Sequence, residues 1–391
     1  MPTYSCLPSE IRFVLEGLRK EFHWQHFLIF SWLVFLQMLN YGTGSLMGLN
    51  RMTTALNYDQ MTRFLRAQYL EPQIWVRWLA QQVLNQLPPP GDFVLKLVVD
   101  GTWKGKRGKQ IPGLAKGKSR SNGPWILGLQ ILVVCYQWNS YRIPVAFALI
   151  HNKESETYKK PNQVLRELLS SIPIPAWTKQ VIVLADAGFA AKENFRLFQK
   201  WNWGYVVRLP RSWKLADGQK LKNIIETTIE FTRTWIPSVN GKHRNTYHYH
   251  YLRAKLDHLG DVNLVITKKR RNDGPKAVRV LVTNLPIGGK TILALYQCRW
   301  YIEVLFKELK GTVALGQHQV NSEFNQIECS LGISLAAYLL LLRLNAKSIP
   351  SKGSWSSFRL KRLSHQYFTE KLYSHSIQKE VKKQMKLRLS A

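Results

Sequence analysis

FVLKLVVD, residues 93–100, is the stretch from which the fold of this protein is best predicted. It is mostly apolar without helical spacing, and it follows Pro88-Pro89-Pro90-Gly91, through which no helix can continue. A short apolar run of this kind is typical of a buried strand. The run ends in Asp100, and an ionised carboxylate there is costly unless it is paired or binds a cation. The stretch therefore predicts a sheet and also a candidate functional residue.

The residues after Asp100 predict further strands and then an alternation of strands with helices. WILGLQILVVCYQW (125–138) and YRIPVAFALI (141–150) are β-rich runs separated by Asn139-Ser140, which predicts a hairpin. The remaining predicted elements are a helix over 162–170, a strand over 181–189, a helix over 193–201 and a strand over 205–210. This order indicates an α/β fold with a mixed sheet.

The composition changes on both sides of this core. Residues 1–87 have helical spacing, and Asn50 to Ala67 predicts two short helices with a break near Asn57. That pair could be a helix-turn-helix reader of DNA or a plain helical hairpin packed in a core. We therefore predict an all-α N-terminal domain over 1–87, an α/β domain over 91–345 and a basic tail over 346–391. Polar strand patterns predict a β-rich insertion at about 211–289 within the α/β domain.

The charge balance favours a nucleic-acid partner. Lys and Arg number 56 against 24 Asp and Glu, a formal net charge of +32, and a chain this basic repels itself unless it meets a polyanion. An acidic membrane surface is the rival partner, but the apolar runs 27–36 and 331–342 are shorter than the roughly 18 to 20 residues that span a bilayer. The N-terminus lacks a basic-then-apolar leader, and the four separated cysteines form no CxxC pair. We therefore expect a cytoplasmic protein with no membrane span.

YQCRWYIEVLFKELK (296–310) places its charges on one side when it is drawn as a helix. At about 100° per residue, one stripe roughly 80° wide holds five groups, which are Tyr296, Arg299, Glu303, Lys307 and Lys310. Glu308 and the apolar residues lie on other arcs. Taken alone, the stripe is best explained by surface ion pairs of Glu303 at i±4, worth a few tenths of a kcal/mol.

Two further acids change that interpretation. Asp186, like Asp100, lies near the end of a predicted strand, although a single acid there is often a turn former or a helix cap. Together with Glu303 they predict a site in which carboxylates hold two Mg²⁺ ions, with Mn²⁺ as a substitute, about 4 Å apart. Such a site supports in-line phosphoryl displacement. The basic residues beside Glu303, Lys307 among them, would then grip DNA phosphates.

The segment after Asp100, TWKGKRGKQIPGLAKGKSR (102–120), is basic and rich in glycine. A solvated loop is the ordinary explanation of such a charge run. Beside a metal site, contact with the phosphate backbone becomes the better one, and we predict that contact for Lys104, Lys106 and Arg107.

Tyr296, Arg299, Glu303 and Lys310 resemble the Y-x2-R-x3-E-x6-K signature of the DDE transposases of the bacterial insertion-sequence-four superfamily. TNLP (283–286) and DAGF (186–189) are similar to the same family, and the resemblance covers about 93–345. It implies a ribonuclease-H-like catalytic core with a β-rich insertion between the second Asp and the Glu. That gap is 303 − 186 = 117 residues here, which leaves room for the insertion.

The resemblance also implies functions for individual residues. Asp100, Asp186 and Glu303 would be the metal-binding catalytic triad, and Tyr296, Arg299 and Lys310 would contact phosphates near the transposon end. The implied partners are double-stranded DNA, as terminal inverted repeats and target, and a second copy of the chain, within the bacterial nucleoid. In relatives that cut through a DNA hairpin, a Trp of the insertion stacks on a flipped base, and the candidates are Trp213 and Trp235.

Two alternatives to a cut-and-paste transposase stay open at this point. One is a catalytically silent DNA-binding protein derived from a transposase. The other is a nuclease on the ribonuclease-H fold that lacks strand transfer.

Overall fold

The computed structural model describes residues 4–40, 44–108, 111–118, 123–226, 229–238, 243–317, 323–349 and 355–371. The chain divides into two compact units. The described residues of the first fall within Met1–Leu87, Lys307–Ile349 and Trp355–Ala391, and those of the second fall within Pro88–Phe306. The boundary after Leu87 falls at the proline run, as expected of residues that end helices.

The N-terminal segment is helical, as predicted. Its helices are α1 (Ser9–Leu15), α2 (Trp24–Leu39), α3 (Leu46–Asn50), α4 (Tyr58–Arg66) and α5 (Pro72–Leu84). Helix α4 begins with a capping box, in which Asn57 Oδ1 accepts from the Gln60 N–H (2.9 Å) and Gln60 Oε1 accepts from the Asn57 N–H (3.0 Å). Of the two short helices predicted between Asn50 and Ala67, only the second exists, because residues 51–57 are not helical and the preceding helix ends at Asn50.

The second unit is built on strands. They are β1 (Val94–Gly105), β2 (Ala115–Lys118), β3 (Trp125–Trp138), β4 (Tyr141–Ile150), β5 (Gln180–Ala185), β6 (Gly204–Leu209), β7 (Thr232–Pro237), β8 (Arg244–Leu256), β9 (Gly260–Lys268) and β10 (Arg279–Thr283). Its helices are α6 (Pro161–Ser171), α7 (Lys192–Lys200), α8 (Leu221–Glu226) and α9 (Gly289–Gln297). Helix α10 (Trp300–Thr312) begins in the second unit, and α11 (Phe324–Leu344) belongs to the first.

All ten of these strands form one mixed sheet. Its order is β2-β3-β1-β5-β6-β10-β9-β8-β7, with β4 paired to β3. Strands β1, β5 and β6 are parallel, and the other neighbours are antiparallel. The mixed α/β fold with helices before it is thus confirmed. The strands predicted as an insertion extend the same sheet beyond β6, because β10 pairs with β6.

Strand β1 does not end at Asp100. It continues to Gly105, because β3 pairs with it from Lys96↔Gln137 to Gly105↔Gly128. The prediction of a loop over 102–120 is therefore wrong for residues 102–105, and β2 makes it wrong for 115–118 as well. Asp100 marks the end of the parallel pairing with β5, whose last pair is Val99↔Ala185.

The segment 296–310 is not one helix. Helix α9 ends at Gln297, and α10 begins at Trp300 after a tight turn in which the Arg299 N–H donates to the Tyr296 carbonyl (3.0 Å). Tyr296 thus precedes the helix that carries Glu303, so the calculated stripe does not apply to it. Glu303 and Arg299 nonetheless keep i,i+4 spacing and form an ion pair.

The first unit has a core helix long enough to be compared with a membrane span. By length and composition the 21-residue α11 could cross a bilayer, which corrects the estimate made from its shorter apolar run. However, 83% of its most apolar 18-residue window is buried inside the protein, as in the core helix of a globular unit. Residues 357–371, which belong to the segment predicted as a basic tail, are helical and bury Leu360, Lys361 and Phe368.

Candidate active site

The sheet register brings two of the predicted acids side by side. Because Val99 pairs with Ala185 on parallel strands, Asp100 and Asp186 follow at neighbouring positions of β1 and β5. Asp100 Oδ1 accepts a hydrogen bond from the Gly101 N–H (2.8 Å). Asp186 caps the short 3₁₀ helix Ala187–Phe189, where its Oδ1 accepts from the Ala187 N–H (2.6 Å). The main chain therefore fixes one oxygen of each carboxylate.

Arg299 joins the third acid to the first. Its Nη1 lies 2.7 Å from Asp100 Oδ2, and its Nη2 lies 2.7 Å from Glu303 Oε1. The Arg299 side chain is 15% exposed and that of Asp100 is 23% exposed, so the ion pair is largely screened from water. The turn before α10 places Arg299 one helical turn ahead of Glu303, which makes this double contact geometrically available.

Burial and the two neighbouring acids both disfavour the charged form of Asp100. Burial, with added repulsion from Asp186 and Glu303, raises the pKa of Asp100 to about 6, although Arg299 and the Gly101 N–H act in the opposite direction. Burial acts to lower the pKa of Arg299, but Tyr296, Asp100 and Glu303 raise it overall. A cluster that holds a carboxyl near pH 6 favours any additional cation.

Asp186 and Tyr296 lie on the open side of the cluster. Arg208 Nη1 lies 3.4 Å from Asp186 Oδ1, and both side chains are 38% exposed. The Tyr296 ring centroid is 5.9 Å from the Arg299 guanidinium, and burial raises the pKa of the Tyr296 hydroxyl. The structure thus brings Tyr296 to the acids although Tyr296 does not belong to the helix that carries Glu303.

A cavity of about 570 Å³ opens beside these groups, with Asp186, Tyr296, Arg299 and Glu303 in its wall. Trp300, 54% exposed, also lines it, and sequence reasoning missed this residue. Its position directly after Arg299 was the available indication. An exposed aromatic ring beside acidic and basic side chains is a surface on which a nucleobase can stack.

A second cavity, of about 560 Å³, shares part of its wall with the first and is strongly basic. Its cationic residues are Arg208, Arg211, Lys268, Lys269, Lys276 and Arg279. Sequence reasoning missed this set, because β6, β9 and β10 bring together residues that are distant along the chain. The segment KKRR (268–271) was the one indication of it.

The donor set suits a hard divalent cation. Three carboxylates supply oxygen ligands, which Mg²⁺ and Mn²⁺ prefer. As arranged here, however, the described residues contain no group of three or more His, Cys, Asp or Glu close enough to hold an ion. The Arg299 guanidinium lies between Asp100 and Glu303 and contacts one oxygen of each, Oδ2 and Oε1. The metal-binding function of the triad stays a prediction.

The predicted phosphate-binding lysines are not all at the acids. Lys104 and Lys106 lie four and six residues beyond Asp100, about 13 and 20 Å along an extended chain. Burial lowers the pKa of Lys104, and burial with the nearby Lys104 lowers that of Lys106 to about 8. Arg107 is exposed just past the strand, whereas Lys307 and Lys310 belong to the first unit.

The two tryptophans predicted for base stacking differ in environment. Trp213 packs edge-on against Phe195, with ring centroids 5.5 Å apart. Trp235, on β7, is 44% exposed and lies beside two cations, with Arg244 at 4.2 Å and Lys290 at 5.2 Å from its ring centroid. Trp235 is therefore the better placed of the two to meet a nucleic acid.

Comparison with known proteins gives one family match. A family model described as "Transposase DDE domain" matches residues 96–340, more than half of the chain. No curated protein matches. Among solved structures, the cryo-EM structure of a piggyBac transposase synaptic complex with hairpin DNA is similar with a TM-score of 0.47 and 11% identity. That match covers 94% of this chain and 78% of the other, and at this level of likeness the family assignment depends on the sequence match alone.

Proposed function

This chain belongs to the transposases with a DDE domain, and we propose that it cuts double-stranded DNA at transposon ends and joins those ends to target DNA. The reaction is Mg²⁺-dependent and uses Asp100, Asp186 and Glu303. The protein acts in the bacterial cytoplasm on nucleoid DNA, and two copies bring two ends together.

One observation carries this proposal. Asp100 and Asp186 follow the aligned pair Val99↔Ala185, and Arg299 links Asp100 to Glu303 through two contacts of 2.7 Å. Residues separated by up to 203 positions (303 − 100) thus converge at one edge of the parallel strands. Burial, with added repulsion from Asp186 and Glu303, raises the pKa of Asp100 to about 6, and a perturbed carboxyl among several acids is common at functional sites.

In this proposal the side chains of the site have different functions. Asp100, Asp186 and Glu303 would hold Mg²⁺, which supplies activation of a water or 3′-hydroxyl and stabilises the leaving oxygen. Arg299 moves from the carboxylates to a DNA phosphate, because a guanidinium binds two phosphate oxygens as well as it binds carboxylates. Tyr296 and Lys310 contact further phosphates. Arg208 lies beside Asp186 and orients the strand that enters from the basic cavity.

The finer classification has separate support. The order β4-β3-β1-β5-β6, with the last three strands parallel, is consistent with a ribonuclease-H-like core. The Y-x2-R-x3-E-x6-K residues support membership of the insertion-sequence-four superfamily. A hairpin route needs an aromatic side chain to stack on a flipped base, and the exposure of Trp235 and Trp300 supports that route.

The deciding experiment uses the full chain with duplexes that carry the terminal repeats of its own element, in Mg²⁺. Asp100→Asn, Asp186→Asn and Glu303→Gln are each compared with wild type. We expect each substitution to abolish cleavage and leave DNA binding within a few-fold. Asp257→Asn serves as the matched control, because this half-exposed acid pairs with Lys192 and His258 and does not line the cavity beside the acids.

Three outcomes separate the alternatives. If wild type binds the repeats and never cuts them, the protein is a silent DNA-binding derivative. If it cuts without joining the ends to a target, it is a nuclease. Cleavage that survives all three substitutions would show that these acids are not the catalytic triad.

A further inference from the structure

The extension of the sheet beyond Asp100 forms a second surface of distinct chemistry. Strand β3 continues past the point where β1 ends, and β2 pairs with it from Ala115↔Gly128 to Lys118↔Trp125. We call this three-stranded projection, residues 103–106, 115–118 and 125–128, the basic ribbon. Trp125 at its far end is 68% exposed, which is unusual for the most hydrophobic kind of aromatic ring.

The register places its cations on one face. Lys104 pairs with Leu129, and the Lys106 N–H donates to the Leu127 carbonyl (3.0 Å). Lys116 pairs with Leu127 and Lys118 with Trp125. Residues that pair across neighbouring strands lie on the same face of the sheet, and so does every second residue along each strand. The four lysines and Trp125 therefore point to the same side.

That side is also the side of Asp100. Asp100 and Lys104 have even spacing on β1, and Asp100 pairs with Val133, eight residues (133 − 125) from Trp125 on β3. Eight residues of extended chain reach about 26 Å. At about 3.4 Å per nucleotide this equals roughly eight nucleotides of a bound strand. The lysines lie between the candidate active site and Trp125.

The opposite face is closed at the same place. A Cβ on Gly117 would lie 2.3 Å from the Trp103 ring, so that ring lies flat against the glycine backbone. At the far end of the lysine face Lys116, Lys118 and Trp125 are exposed, so a large partner can reach them, whereas Lys104 and Lys106 are half-buried. No Asp or Glu occurs anywhere from residue 101 to residue 153, so the ribbon carries no charge that would repel a polyanion.

We infer that the lysine face of the basic ribbon binds the phosphates of a DNA strand and that Trp125 stacks on an unpaired base of that strand. This inference rests on the proposed DNA-processing function and adds a site about 26 Å from the acids. Lys118 Nζ lies 5.4 Å from the Trp125 ring centroid, which leaves most of the ring accessible while the ammonium group neutralises a neighbouring phosphate. Stacking on an exposed aromatic ring contributes about 1–3 kcal/mol per base and tolerates any base.

The test uses two fluorescent probes of one sequence, a blunt duplex of about 20 base pairs and the same duplex with a single-stranded overhang of about 10 nucleotides. All proteins carry Asp100→Asn, so that no probe is cut. Trp125→Ala should weaken binding of the overhang probe by roughly 5- to 150-fold, with the blunt duplex changed less than about 2-fold. Trp125→Phe should restore most of the affinity, which a merely structural position would not predict.

The salt dependence of DNA affinity tests the phosphate contacts of the lysines. Lys116→Ala with Lys118→Ala should reduce the slope of log affinity against log salt by about 1.4 to 1.8. A matched control is Lys200→Ala with Lys192→Ala, which removes two lysines of α7. The control should leave the slope unchanged.

Each other result overturns the inference. If Trp125→Ala weakens binding of both probes equally, or weakens neither, Trp125 does not stack on an unpaired base. If Lys116→Ala with Lys118→Ala leaves the slope of log affinity against log salt unchanged, these lysines do not contact phosphates. If Trp125→Ala instead lowers the oligomeric state in sedimentation and leaves DNA affinity intact, the ribbon is an interface between copies. Failure of the parent protein to bind either probe would refute the proposed function itself, which is a different outcome.

Discussion

Asp100→Asn should stabilise this protein at the expense of its chemistry. Burial and two neighbouring carboxylates raise the pKa of Asp100 from 3.8 to about 6, so its charged form is disfavoured in the folded state. The shift of 2.2 units corresponds to about 3 kcal/mol, at roughly 1.36 kcal/mol per unit. An asparagine keeps the hydrogen bond from the Gly101 N–H and carries no charge.

The sign follows from the two pKa values. Below about pH 3.8 the Asp100 carboxyl is neutral in both the folded and the unfolded protein, so it does not lower the stability of the fold. Between 3.8 and about 6 the unfolded chain loses its proton first, and stability falls as the pH rises. Above about pH 7 the full penalty is present. The substitution should thus gain up to about 3 kcal/mol at pH 8 and about half of that at pH 5.

Denaturant unfolding of wild type and Asp100→Asn at both pH values measures this difference. Asp257→Asn is the control, because Asp257 is 47% exposed and its loss should change stability by less than about 1 kcal/mol at either pH. The reasoning is refuted if Asp100→Asn is less stable than wild type at pH 8, or if its advantage does not shrink at pH 5.

Three further changes test other parts of the structure. Mg²⁺ at about 100 times its Kd should stabilise wild type by about 2.7 kcal/mol in thermal unfolding and should not stabilise Asp186→Asn, whereas equal shifts would place the ion elsewhere. Glu308→Ala should lower the free energy of unfolding by about 2–4 kcal/mol. The reason is that the buried carboxylate accepts hydrogen bonds from a tyrosine hydroxyl (2.9 Å) and a main-chain amide (3.3 Å). A loss below about 1 kcal/mol would contradict this. Gly128→Ala should make the basic ribbon sensitive to limited proteolysis, because its Cβ would lie 2.5 Å from a main-chain oxygen of β1, while Gly91→Ala, with nothing within 4 Å, should not.

Sequence patterns sufficed where the physics is local. The apolar runs around 93–100 and 181–189 predicted β1 and β5, because buried parallel strands are apolar on both faces. Proline residues at 88–90 end the N-terminal helical segment for the same local reason. The family resemblance named Asp100, Asp186, Glu303 and Arg299, and the structure places all four together.

Local patterns failed where pairing partners decide the outcome. β1 runs past Asp100 because β3 supplies its hydrogen bonds, and no property of residues 101–105 reveals that partner. The turn at Arg299 interrupts a segment whose spacing fits one helix, so the arrangement around Glu303 had to be seen in three dimensions. Glu308, which the helical projection left without a function, is buried and hydrogen-bonded to Tyr338 of α11.

By itself, then, the amino-acid sequence determined the class of the fold and the excess of positive charge, which depend on composition and on short-range spacing. Its resemblance to a known family pointed to the acids. Only the tertiary structure decided that Arg299 lies between Asp100 and Glu303, that six cations line one cavity, and that four lysines share a face with Trp125. Those facts depend on sheet register and on contacts between residues up to 203 positions apart (303 − 100), which a linear pattern does not encode.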